Sequence, residues 1–398
     1  MNNKVTLIII MLTKWLTTFG SYLQAVALPI IIYTATGSAE LLSWTFFAET
    51  LPWLVVAPWF TKIVINSFSV KRAYILTNIF RGSLTFLLAF SMDNNVFVII
   101  IFFFLGILNS IAAPLYSMLI KDNTNGLSLG EVLGISLGID DVVSIVAPLV
   151  VSFVITVGGN GIIFIYINGV MLIMNAFLST RIVSNNELIY CKKEKLSNGQ
   201  RKIREELLQL GKGNISYMVV SETCRSFVEG MCIPLFVVYV VSVIGAKEEI
   251  FTIGETMQAI AQVIMSGIYI IMKKKYTYNG IISVGAILIS MALGLLCIFS
   301  HSAIYIFAMV LFGAGMAIRQ IVAENLLISS FDGERLSNMV SLYNAVIALA
   351  YLMGYLLSAV QNEIATIQMY NFCGMLIMLI PFIFFNHISR KKRKSDGV

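Results

Sequence analysis

Apolar residues run through this chain in long stretches separated by short polar breaks. They fall at roughly 5–33, 41–65, 72–91, 96–119, 131–157 and 161–183, and again at 214–243, 249–272, 279–299, 302–328, 336–360 and 366–388. A helix needs about 20 apolar residues to cross a bilayer core. Lipid offers the backbone no partners, so stretches of this length predict helices rather than barrel strands. The one long polar segment, 184–213, is rich in Lys and Glu. Within it Arg201–Leu210 (RKIREELLQL) has the pattern of a short amphipathic helix lying on the membrane surface. The expected organisation is an N-terminal six-helix bundle over 1–183, a cytoplasmic central loop over 184–213, a C-terminal six-helix bundle over 214–388 and a basic cytoplasmic tail over 389–398.

Composition narrows the class. Of 398 residues 58% are apolar and only 12% charged, with mean hydropathy +0.87. Soluble domains carry about twice that share of charge, so a cytosolic enzyme, a nucleic-acid-binding domain and a disordered tail are excluded. The net charge of +6 is explained by placement. Apart from Lys247 on the far side and Lys14, Arg81 and Arg225 within spans, the 27 Lys and Arg residues collect on one side of the predicted helices. By the positive-inside rule that side is cytoplasmic, and both termini and the central loop lie on it. No nucleic-acid partner is needed to account for the basic balance. Lys4, the apolar run after it and Ala25-Val26-Ala27 imitate a signal peptide, but Lys14 interrupts the run, so it reads as an uncleaved first span. Cys191, Cys224, Cys232, Cys297 and Cys373 form no close-spaced ligand pairs, which suggests neither a disulfide framework nor a metal site.

A shift of about 205 residues lays Leu28-Pro29 on Ile233-Pro234 and Ser136-Leu137 on Ser341-Leu342. It also brings Lys71-Arg72 close to Lys273–Lys275 and Glu49 to within one residue of Glu255. One shift serving four places points to two related halves.

Ionisable residues inside a span cost about 2.5–3.5 kcal/mol each on insertion scales, so each asks for a reason. They are Lys14, Glu49, Arg81, Asp140, Asp141, Glu222, Arg225, Glu229, Glu255, Arg319 and Glu324. Glu222, Arg225 and Glu229 share one helix face through spacings of three and four, so Arg225 can pair with either acid or hold a substrate carboxylate. Glu255, Gln258 and Gln262 share a face in the same way, and Gln24 adds a hydrogen-bonding group on the first span. Asp140 and Asp141 point about 100° apart on a helix. Arg319 counts with the cytoplasmic face, and Glu324 beside it reads as structural. Acids outnumber bases among the deep groups, which favours protons or a cationic or zwitterionic substrate. The candidate substrate- or proton-binding residues are Gln24, Glu49, Asp140, Glu222, Arg225, Glu229, Glu255 and Gln258. Gly130, Gly134 and Gly138 form small-xxx-small steps expected to seat a neighbouring helix.

Enzymatic motifs are not supported. Gly134-Ile-Ser136-Leu-Gly138 matches the G-x-S-x-G hydrolase pattern, but it lies in a predicted membrane helix, and His301 and His387 sit near span ends. Neither a G-x-x-x-x-G-K-[ST] phosphate loop nor H-E-x-x-H occurs. No catalytic residue, cofactor or resident metal is expected.

These features together resemble the major facilitator superfamily, and in detail its bacterial drug-efflux branch, which includes the macrolide-efflux transporters. The first two spans read ALPIIIYTATGSAELLSWTFFAETLPWLVVAP, similar to that branch at Ala27–Pro29, Thr36–Ala39, Leu51-Pro52 and Pro58. Arg81-Gly82, Arg181 and GERLSNMVSL (Gly333–Leu342) also fit. The loop before Lys71-Arg72 departs from the superfamily pattern, lacking its Gly and Asp. The resemblance implies an all-α integral membrane protein of twelve transmembrane helices in two pseudo-symmetric six-helix bundles. It implies a monomeric secondary active transporter in a bacterial cytoplasmic membrane, whose partners are the lipid bilayer, protons and a small-molecule substrate. Proton-coupled export of an amphipathic or zwitterionic metabolite, such as a peptide or metallophore, is the expectation. Multidrug or macrolide efflux is the alternative, and an uptake permease or the membrane subunit of a larger complex remain behind it.

Overall fold

In the computed structural model, described over residues 3–55, 67–123, 129–182, 213–331, 333–360 and 364–395, the regular structure among the described residues is helical. The first half contains α1 (Asn3–Thr36), α2 (Ala39–Val55), α3 (Val70–Phe90), α4 (Asn95–Asp122), α5 (Leu129–Thr156) and α6 (Ile162–Ser179). The second contains α7 (Gly213–Cys232), α8 (Glu248–Lys275), α9 (Tyr278–Ile298), α10 (Ser302–Ser330), α11 (Gly333–Ala359) and α12 (Ile364–Ser395). Ten helical segments among the described residues are long and apolar enough to cross a membrane. The other two are α2, described over 17 residues, and α12, whose apolar stretch is the shorter Thr366–Phe382. This is an all-α, multi-helix integral membrane protein. The expected surface helix Arg201–Leu210, the rest of the central loop and Pro58 lie outside the described residues.

Proline and glycine set local features that recur in the two halves. Pro29 sits inside a continuous α1. Its counterpart Pro234 follows α7 and lies in a 3₁₀ turn over Ile233–Leu235, after which the chain runs on through a π turn at Tyr239–Val243. Proline removes the hydrogen bond that would continue the α ladder, and 3₁₀ and π turns absorb the loss. Gly37 and Gly245 adopt φ of 65° and 70° just beyond α1 and beyond the extended α7. A left-handed residue there turns the chain out of the helix, which glycine does without a Cβ penalty.

The chain divides into two units, Met1–Glu194 and Lys195–Val398. In the first, α2 packs on α4, α4 on α3, α3 on α6, α6 on α1 and α1 on α5. In the second, α8 packs on α10, α10 on α9, α9 on α12, α12 on α7 and α7 on α11. The second series is the first with every helix replaced by its counterpart. Large apolar side chains such as Phe90 and Phe153 project outward from the first unit, as expected for a surface facing lipid.

Close helix approaches occur where glycine meets backbone. Gly106 on α4 lies against the backbone of Glu49 on α2, and Gly313 on α10 lies against Gln258 on α8. Gly230 on α7 and Gly354 on α11 abut the backbones of Tyr351 and Phe227 respectively. The glycines expected to do this on α5 do not. Gly134 and Gly138 are exposed, and a Cβ at either meets nothing within 4 Å. The buried face of α5 runs through Val132, Ser136, Val143 and Ala147. Two residues along a helix is about 200° of rotation, so glycines two places from Val132 and Ser136 look the other way. Gly130 lies outside the residues whose surroundings are described.

The two kinds of glycine should respond oppositely to alanine. Gly106→Ala and Gly354→Ala force a methyl into backbone and should lower the thermal midpoint of the purified protein by several degrees. Gly138→Ala should leave it unchanged or raise it, because alanine favours helix by about 1 kcal/mol where nothing clashes. A melting series in detergent decides this, and a loss at Gly138 equal to that at Gly106 would refute it.

Candidate functional site

Deep polar residues gather in separate places, and the two units treat their charges differently. In the second unit Arg225 stands between the acids one turn to either side of it on α7. Its Nε donates to Glu222 at 2.6 Å and its Nη1 to both Glu229 oxygens at 2.5 and 2.6 Å. Tyr351 on α11 donates its hydroxyl to Glu229. Arg319 on α10, wholly buried, reaches the other Glu222 oxygen at 3.1 Å and donates to the Ser221 carbonyl and, at 2.8 Å, to its hydroxyl. Two cations and two carboxylates on α7 and α10 thus neutralise one another, with Tyr351 joining from α11.

Of the two pairings that helical spacing allows, Arg225 makes both, and Tyr351 stands beside it as well. Arg319 is buried in its unit and ties α10 to α7. Helical spacing exposed the contacts within α7, but a partner on a helix almost a hundred residues away leaves no trace in local spacing. Glu324 is exposed and accepts from Gln320 at 3.3 Å.

In the first unit Asp140 on α5 pairs with Lys14 on α1 at 2.8 Å and accepts from the Thr18 hydroxyl at 3.1 Å. Lys14 also lies over the ring of Tyr116, 5.8 Å from its centroid. Asp141 is exposed, as the 100° step between the two requires.

Other deep polar groups of that unit surround a cavity of about 90 Å³. Gln24 comes from α1, Glu49 from α2, Arg81 from α3, Asn109 from α4 and Asn168 from α6. Asn109 donates to Glu49 at 3.1 Å. Asn168 donates to Gln24 at 2.6 Å, tying α6 to α1. Arg81 donates to Asn78 one turn earlier, at 3.0 Å. Apolar side chains, among them Leu28, Phe46 and Phe102, complete the walls. The approach of Gly106 to the Glu49 backbone seats α2 closely on α4 and fixes where this carboxyl stands.

Glu255, the counterpart of Glu49 on α8, is half-buried and makes no ion pair or hydrogen bond among the described residues. Gln258, one turn on, donates to Met316 Sδ at 3.7 Å, and its Oε1 is buried without a partner. Of the eight candidates, Gln24 and Glu49 share the cavity, Glu222, Arg225 and Glu229 form the charge network, Glu255 and Gln258 lie along α8, and Asp140 stands in its own ion pair. Arg81, Asn109 and Asn168 are polar cavity residues that the candidate set left out. Arg81 and Asn109 show as polar residues within apolar spans, whereas Asn168 is revealed by its contact with Gln24.

The family model of the Major Facilitator Superfamily matches residues 10–208, and the chain belongs to that superfamily. No curated protein sequence matches it. Among solved structures, that of the nucleoside transporter NupG (D323A mutant) is similar with a TM-score of 0.78 and 10% identity, covering 96% of this chain and 99% of that one. A bacterial homologue of the iron transporter ferroportin, in its inward-facing state, gives 0.75 at 10% identity over 96% and 98% of the two chains. A D-xylose-proton symporter gives 0.71 at 13% identity over 94% and 96%. At such identities the likeness is one of fold. The chain is a secondary-active transporter by family, not an enzyme, and groups of metal-ligating residues are absent among the described residues.

Removing one partner of a buried ion pair typically costs about 3–5 kcal/mol. Arg319→Met should therefore depress the denaturation midpoint sharply, with Arg319→Lys intermediate because a lysine keeps the charge but lacks the fork that sends Nε to Glu222 and Nη2 to Ser221. Equal stability of Arg319→Met and the parent in a denaturant titration would contradict the network. For the other pair, Lys14→Asp should impair folding and yield, and Lys14→Asp with Asp140→Lys should restore both.

Proposed function

We propose that the protein exports a small zwitterionic or amphipathic molecule across a bacterial cytoplasmic membrane in exchange for protons. In this reading twelve spans form two six-helix bundles over 1–183 and 214–388, with both termini and the central loop cytoplasmic. The matching packing order of α1–α6 and α7–α12 supports the twelve-span reading, as does the distribution of basic residues along the chain.

The observation that carries the proton coupling is the situation of Glu49. A coupling group needs a carboxyl that gains and loses its proton as the cavity opens and closes. A low-dielectric site favours the neutral form of such a group, whereas a fixed cation holds it ionised. Asp140, Glu222 and Glu229 each have a cation within ion-pair distance. Glu49 faces a cavity with only an amide as direct partner, and Glu255 lacks even that. Of the five candidate acids, one in each unit is left without a cation at ion-pair distance, Glu49 and its counterpart Glu255.

Motifs from Ala27 to Pro58 favour a second reading, efflux of macrolides or other drugs. Metabolite profiling of a deletion strain separates the two: a zwitterionic compound accumulating inside the cells supports the first, and macrolide hypersensitivity without accumulation supports the second. In everted vesicles energised to be acidic inside, the accumulated compound should draw protons out. Glu49→Gln should cut that flux at least tenfold, while Glu324→Gln leaves it intact. Unchanged proton movement in both Glu49→Gln and Glu255→Gln would refute the coupling assignment.

A further inference from the structure

The two units contrast in how they treat arginine. Arg225 and Arg319 are each bonded to a carboxylate. Arg81 is as deeply buried, 7% exposed, yet it makes no ion pair among the described residues. Its one side-chain bond is the donation to Asn78, and its Nε is buried without an acceptor. A guanidinium carries five N–H donors in a planar fork matched to a carboxylate, and an unanswered charge within a membrane protein is costly. The balancing charge in the same cavity is Glu49 on another helix, outside ion-pair distance. Glu49 keeps Asn109 beside it, and the Oδ1 of Asn109 is buried without a donor. The cavity therefore presents a donor fork on α3 and a cluster of acceptors where α2 meets α4, held apart by packed helices.

We propose that this cavity is a charge-separated binding site for a single zwitterion, with Arg81 taking its carboxylate and Glu49, with Asn109, taking its ammonium group. The substrate class is a small amino-acid-like or peptide-like molecule carrying both charges. The apolar wall at Leu28, Phe46 and Phe102 accommodates the aliphatic or aromatic part between or beside them. Such a molecule answers both buried charges at once, where a simple cation leaves Arg81 bare and a simple anion leaves Glu49 bare. The site deepens the export reading above by naming its substrate class, and it stands on geometry that does not require proton coupling.

Three probes of matched size test it on the full-length purified protein: alanyl-alanine, its N-acetyl derivative without the cation, and its C-terminal amide without the anion. Titration calorimetry should find the dipeptide bound at least tenfold more tightly than either blocked form. Arg81→Met should erase the preference over the amide and Arg81→Lys should keep part of it. Glu49→Gln should erase the preference over the acetylated form. Equal binding of all three probes, or no binding of the dipeptide, overturns the site, and this comparison on the parent protein decides even where a variant fails to fold. Proton movement driven by the dipeptide is read separately in proteoliposomes. Discrimination without proton movement upholds the site and overturns only the coupling; proton movement without discrimination overturns the site.

Discussion

Lipid supplies no hydrogen-bond partners, so every polar atom carried into the bilayer must find one on a neighbouring helix or in a cavity. That requirement dictates where the helices of this chain meet. Arg319 finds Glu222 and Ser221 and so ties α10 to α7. Tyr351 finds Glu229 and ties α11 to the same helix. In the first unit Asn168 finds Gln24, while Asn175 donates to the Thr13 carbonyl at 2.9 Å and to the Tyr74 hydroxyl at 3.2 Å. Apolar packing fills the space between these contacts without dictating register, because one lipid-like face is much like another.

One scaffold has been given two electrostatic characters. The units share a packing order, a glycine approach between the second and fourth helices of each, and a left-handed glycine after the first. Their charges diverge. The second unit closes Glu222, Arg225, Glu229 and Arg319 into a neutral cluster and leaves Glu255 apart from it. The first keeps Arg81 and Glu49 on separate walls of a cavity. A buried ion pair is a poor binding site because its charges are already satisfied, whereas the same charges held apart remain available.

The fold was largely legible because its signal is collective. Long apolar runs locate helices to within a few residues, and one shift relates the halves through Pro29 and Pro234 before any contact is known. Contacts within a helix were legible too: Glu222, Arg225 and Glu229 fall together by spacing alone. What sequence could not supply was which helix each face meets. Arg225 and Arg81 look alike as lone cations in apolar runs, and only the flanking acids at three and four residues separate a bound guanidinium from an unbound one. The α5 glycines mislead for the same reason, since small-xxx-small spacing says a face is smooth, not that a neighbour lies on it.

The packing order also bears on how the chain is made. In the first unit α1 does not rest chiefly on α2; its main neighbours are α6 and α5. The buried groups of α1 that need partners find them on α6, where Gln24 and Asn168 are separated by 144 residues and Thr13 and Asn175 by 162. The ribosome finishes the first helix long before it begins the sixth. At about 5–20 residues per second, Gln24 waits on the order of ten seconds for Asn168, and Lys14 waits somewhat less for Asp140 on α5. Lipid answers neither group in that interval, so water or another protein has to stand in.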